Sequence, residues 1–155
     1  KKELENLQCY VKIQSMRFPG KFDVIYNVEE EMLTCEMLKF ILQPLMENAM
    51  EHGVIPCKRR GRIEVTGKIT SDHIAEISIC DNGNGIGDEM LQRLHQELKK
   101  DLQQGVNHSS SGIGLINVHQ RIKNYYGEEF GISVESNQGE YTCVKVCFPV
   151  LREEV

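Results

Sequence analysis

Apolar side chains recur along this chain with two periods, near 3.6 and near 2, and the switches between them lay out its elements. Leu4, Leu7 and Val11, with Ile13 and Met16 less regularly placed, predict a helix over residues 3–18 that stops before Pro19 and Gly20. Phe22 to Val28 alternates imperfectly and predicts a strand. From about Glu36 to His52 the set Leu38, Ile41, Leu42, Leu45, Met46 and Ala49 follows a helical stripe, with Gly53 just past its end. Pro44 falls inside that stripe, where a missing backbone donor predicts a kink one turn before Asn48. Residues 62–70 and 73–81 predict a hairpin turning at Ser71 and Asp72, whose second strand ends on Asp81. Leu91, Leu94, Leu98 and Leu102 predict a helix, and Ser111 is placed to cap another running to about Tyr126. Gly131 to Asn137 and Tyr141 to Phe148 predict a closing hairpin around Gln138 and Gly139. This order predicts an α/β (α+β) two-layer sandwich, one mixed and mostly antiparallel sheet covered on one face by helices.

Composition narrows the class. A chain of 155 residues with 40% hydrophobic side chains fits one domain with a core of its own. The net charge of −5 argues against a nucleic-acid surface, and the short basic run Lys58-Arg59-Arg60-Gly61-Arg62 reads as a solvated loop sooner than as a phosphate contact. No apolar stretch approaches the ~20 residues that a membrane helix needs. The six cysteines form no C-x-x-C pair and lie mostly in apolar settings, which predicts reduced, core-filling thiols in a cytoplasmic domain. Cys143 and Cys147 share a strand face at a spacing too wide for a bridge.

The candidate chemistry lies in three places. Glu47 and Asn48 are neighbours about 100° apart on the second helix, beside the apolar stripe. The Asn48 amide oxygen is a hard neutral ligand suited to magnesium, and Glu47 could act as a base or hold a metal-bound water. Asp81, at a strand end, could accept a hydrogen bond from an exocyclic amine, and Gly83, Gly85 and Gly87 would let the next turn pass over a flat base. The glycines fit neither a phosphate-binding G-x-x-x-x-G-K-[ST] loop nor a calcium loop. Ser111, Gly112 and Gly114 put small residues and free amides at a helix start, a phosphate cradle. Taken singly, each reads more simply as a solvated helix flank, an Asx turn or a plain cap. His52 at the end of the second helix faces phosphates or merely caps the helix, and these residues do not separate the two.

Together, Leu42-Gln43-Pro44-Leu45-Met46-Glu47-Asn48-Ala49-Met50-Glu51-His52-Gly53, Asp81-Asn82-Gly83-Asn84-Gly85-Ile86-Gly87 and Gly112-Ile113-Gly114-Leu115-Ile116-Asn117-Val118 resemble the N, G1 and G2 boxes of the GHKL ATPases. More narrowly, they resemble sensor histidine kinases of the LytS/YesM-like group. The resemblance implies a Bergerat ATP-binding fold over residues 19–155, with residues 1–18 ending a linking or dimerisation helix and a flexible lid at about 88–111. By matched position it implies that Asn48 holds Mg2+, Asp81 the adenine amine, and Gly83, Gly85, Ile86 and Gly87 the loop over the base. It likewise implies that Ser111, Gly112, Ile113, Gly114 and Leu115 hold the phosphates, with Thr142 behind the adenine and His52 nearby. ATP would be the cofactor and phosphoryl donor, and the acceptor a histidine in an upstream helix. The remaining partners implied are a second subunit and a response regulator, in the cytoplasmic part of a cell-membrane sensor. An ATPase that couples hydrolysis to shape change and a degenerate binding module are the alternatives.

Overall fold

In the computed structural model, residues 1–100 and 113–151 are described. Helix α1 (Lys2–Arg17) leads into strand β1 (Phe22–Val28) and a short 3₁₀ turn (Glu30–Thr34). Helix α2 (Leu42–Asn48) continues without a break as a π-helical segment (Ala49–Val54), and β2 (Gly61–Ile69), β3 (Ile74–Asp81) and α3 (Asp88–Lys99) follow. Helix α4 (Ile113–Tyr126), β4 (Gly131–Asn137) and β5 (Tyr141–Pro149) complete the order. The strands form one sheet in the order β1-β2-β3-β5-β4. Only β1 and β2 run parallel, because the connection between them carries α2 across the sheet, whereas the other neighbours are antiparallel. The π segment, α3 and α4 touch the strands, and α1 packs on α2 through Leu7 and Val11.

Strict alternation sets the two faces of the sheet. Ala75, Ile77, Ile79 and Asp81 form the buried phase of β3, and Thr142, Val144, Val146 and Phe148 that of β5. Each strand therefore ends its apolar row on one polar residue, and register pairs those two residues, Asp81 with Thr142. The next pair, Cys80 with Cys143, points to the opposite face, where the two sulfurs lie side by side. The cysteines lie 63 residues apart in sequence, and only the β3–β5 register sets them face to face.

The second helix begins later than its apolar stripe suggests. Phe40 takes a left-handed conformation (φ 60°), and the Glu3 carboxylate accepts the N–H groups of Phe40 and Ile41, so regular helix starts at Leu42. Pro44 consequently lies in the first turn, where its missing N–H has no intrahelical carbonyl to meet, and the expected proline kink has no cause. The irregularity comes after Asn48 instead, where the helix widens into the π segment.

Candidate functional site

A cavity of about 330 Å³ opens at the end of the sheet where β3 and β5 finish their buried rows. Its walls come from α2 and the π segment (Asn48, His52, Gly53), the end of β3 (Asp81), the glycine loop (Asn84, Gly85, Ile86, Gly87), α3 (Met90, Leu94), α4 (Leu115) and β5 (Thr142). The first two of the three sequence boxes thus meet at one hollow, joined by Leu115 of the third. Of the remaining phosphate-cradle residues, Ser111 and Gly112 lie outside the described residues, as does the lid beyond residue 100. Ile113 and Gly114 start α4 behind the cavity wall, Gly114 facing Pro44 of α2.

Asp81 is the charged group of this hollow. It is 2% exposed, and its Oδ1 accepts the Gly83 N–H at 2.8 Å, the one hydrogen bond it makes among the described residues. Burial raises its pKa from an ordinary 3.8 to about 6, against the smaller lowering effect of the Gly83 N–H. An ionised carboxylate with spare acceptor capacity in an apolar wall is primed for a donor group. Thr142, 4% exposed, stands beside it. Asn48 also lines the cavity, half-buried, and its amide makes no hydrogen bond among the described residues. Glu47 lies outside the lining, its carboxylate taken by Gln43 Nε2 at 2.8 Å on the side of α2 that faces Tyr10 of α1.

Two of the loop glycines sit against the protein's own backbone. A side chain on Gly83 would run into the backbone of Gly53, and one on Gly85 (φ 64°) into the Asn137 carbonyl. These two glycines let the loop press against the protein's own backbone, so that the loop is clamped between the π segment and the β4–β5 turn. The clamp is completed by hydrogen bonds from Asn84 N–H to the Gly53 carbonyl (3.2 Å) and from Gly139 N–H to the Asn84 carbonyl (2.6 Å). Gly87, by contrast, meets nothing closer than the Gln138 side chain. Arg59, from the basic run, donates to the Asn82 carbonyl, and Arg62 N–H donates to Asn82 Oδ1 at 2.7 Å. The run is therefore a brace for this loop.

Four lining residues were given no site role from the sequence: Gly53, Asn84, Met90 and Leu94. Gly53 carries the strongest constraint, since a Cβ there would collide with the Asp81 carboxylate. Its place directly after a helical stripe made it look like an ordinary helix stop.

Residues 35–152 match the family profile described as histidine kinase-, DNA gyrase B- and HSP90-like ATPase. The chain is 34% identical over 128 residues to the sensor histidine kinase YpdA of Escherichia coli, covering 83% of this chain and 21% of that protein. It is 33% identical over 135 residues to the sensor protein LytS of Oceanobacillus iheyensis, covering 87% of this chain and 22% of that protein. The chain thus spans about a fifth of the length of these relatives. Among solved structures, the catalytic domain of the histidine kinase ThkA superposes with a TM-score of 0.63 at 16% identity, covering 97% of this chain and 96% of that one.

Proposed function

Because the chain belongs to the histidine kinase-, DNA gyrase B- and HSP90-like ATPase family, we propose that it is the ATP-binding catalytic domain of a sensor histidine kinase, acting on a histidine elsewhere in the full-length protein. One observation carries this reading: a buried carboxylate, Asp81, and an amide with no partner among the described residues, Asn48, line the same cavity from different elements, with a clamped glycine loop forming the wall beside them.

Asp81 takes the exocyclic amine of the adenine, since only an acceptor in that apolar wall gains from meeting an N–H donor. Gly53 leaves the carboxylate room to face the base. Met90 and Leu94 of α3 and Leu115 of α4 supply the apolar contact that a flat ring needs. Asn48 is the group for magnesium: its oxygen is hard, half-buried and without a protein partner among the described residues, while no cluster of three His, Cys, Asp or Glu exists there to hold a metal alone. A magnesium ion so held supplies charge neutralisation to the phosphates. His52, on the same wall, stands beside that end of the nucleotide. Transfer breaks the bond between the γ-phosphorus and its bridging oxygen, forms a phosphorus–nitrogen bond to a histidine, and releases ADP. Glu47, one residue from Asn48, is the candidate to receive the imidazole proton on the carboxylate oxygen that Gln43 does not engage. Further partners in this reading are a second subunit and a response regulator, in a longer protein carried at the cell membrane.

Calorimetry with ATP, with and without magnesium, tests the reading. Wild-type protein is expected to bind more tightly with the metal, and Asn48→Ala to bind with little magnesium dependence. Full magnesium dependence in the variant would place the metal elsewhere. Labelled phosphate appearing on the separate histidine-bearing segment of the same protein would establish the kinase step.

A further inference from the structure

Thr142 and Asp81 are register partners that line the cavity together, yet what Thr142 offers there is decided by a third residue. Ser136 is the register partner of Thr142 on β4, as Asp81 is on β3, so the three form a polar row across the end of the sheet. Ser136 Oγ lies 2.7 Å from the Tyr141 carbonyl, 2.9 Å from Thr142 Oγ1 and 2.8 Å from the Ile86 nitrogen. It has one proton to give. The carbonyl can only accept, and two oxygens at 2.7 Å without a proton between them would repel, so the proton goes to Tyr141. Thr142 must then donate to Ser136, and the Ile86 N–H fills the serine's remaining acceptor capacity. The Thr142 proton is thereby spent on Ser136, and the side it turns to the cavity carries lone pairs only.

Resting on the ATP-binding reading above, we propose that Ser136 is a positioning residue for base selection: by holding the Thr142 hydroxyl as an acceptor beside the Asp81 carboxylate, it selects purines with an amine at position 6 over those with a carbonyl. A 6-amino group brings N–H donors to two acceptors. A 6-oxo purine brings a carbonyl oxygen to the same place, where nothing can donate to it. With Ser136 removed, the Thr142 hydroxyl is free to turn and donate to that oxygen while Asp81 accepts the ring N–H. The same Ser136 oxygen anchors the glycine loop through Ile86, so its loss also has a nonspecific effect, which must act on every nucleotide alike.

The affinity ratio for ATP against inosine triphosphate, its 6-oxo counterpart, separates the two effects. In Ser136→Ala the ratio is expected to fall by about tenfold, the worth of one hydrogen bond, with the change concentrated in tighter inosine triphosphate binding relative to ATP. Ser136→Thr keeps the hydroxyl and should restore the wild-type ratio. In a Thr142→Val background the serine substitution should no longer move it. An unchanged ratio in Ser136→Ala, with both affinities lowered together, would overturn the proposal and leave Ser136 a loop anchor. Should that variant not fold, Ser136→Val against Ser136→Thr makes the same comparison with side chains of one shape. Wild-type protein that binds neither nucleotide would sink the ATP reading itself, a result distinct from binding without loss of discrimination.

Discussion

Two hollows among the described residues differ in character, and the larger of the pair is the less telling. A groove of about 880 Å³ runs between the start of α1, the 3₁₀ turn, residues 35–40 and the end of α4, against about 330 Å³ for the cavity at Asp81. Their polar groups differ in kind. In the groove they are spent on one another: Glu3 accepts the N–H groups of Phe40 and Ile41, Arg121 donates to the carbonyls of Lys39 and Phe40, and Tyr126 Oη accepts the Leu38 N–H. These bonds close the ends of a segment that has no regular structure, a purely internal use. In the cavity, Asp81 has acceptor capacity left over and Asn48 makes no side-chain bond among the described residues. Unspent polar capacity held in a buried wall costs stability, and such a cost marks a binding site better than volume does.

The sharpest way to break this contrast is to remove the charge that defines the cavity. Asp81→Asn should weaken ATP binding by about 10- to 100-fold, as the loss of a hydrogen bond to a charged group does. The same change should stabilise the ligand-free protein. Because the folded-state pKa is raised to about 6, burying the ionised carboxylate destabilises the fold at higher pH, and the penalty is relieved as pH falls through 6 toward 3.8. Asparagine carries no such penalty, so urea unfolding at pH 8 should show a gain of up to about 3 kcal/mol. A variant that loses both affinity and stability would mean that the carboxylate is structural. Gly53→Ala forces a methyl group into the Asp81 carboxylate and should cost about 1–3 kcal/mol of stability together with ATP affinity. Unaltered affinity there would show that the carboxylate need not keep its present place.

The groove supplies the control. Glu3→Ala removes the acceptor for two backbone N–H groups and should lower stability by about 1 kcal/mol in thermal unfolding with ATP affinity intact. Any comparable loss of affinity would tie the groove to the site and erase the contrast. The gentlest probe is pH. A nucleotide amine favours the ionised form of Asp81, so ATP affinity should decline as pH drops below about 6, and Asp81→Asn should flatten that part of the profile.

Much of this was legible in the residues. β1 spans the residues its alternation predicts, and the hairpins and the late helices fall within a few residues of their patterns, because one face of each is buried and periodicity records burial. The burial of Asp81 was legible for the same reason: it continues a row of alternating apolar residues to the end of its strand. The late start of α2 was not, since Phe40 and Ile41 continue the apolar stripe and only the Glu3 carboxylate, 37 positions earlier, ends it. The reach of Glu47 was equally hidden, depending on which neighbour takes its carboxylate.

The amino-acid order by itself determined most of the elements, the family boxes and the chemical types available, all of which follow from local periodicity and short motifs. Tertiary structure decided which of these act together. Register brought Ser136, Thr142 and Asp81 into one row and Cys80 onto Cys143, and chain packing turned Gly83 and Gly85 toward the protein's own backbone. Local pattern reports whether a residue is buried; only the pairing of distant strands and helices decides against what.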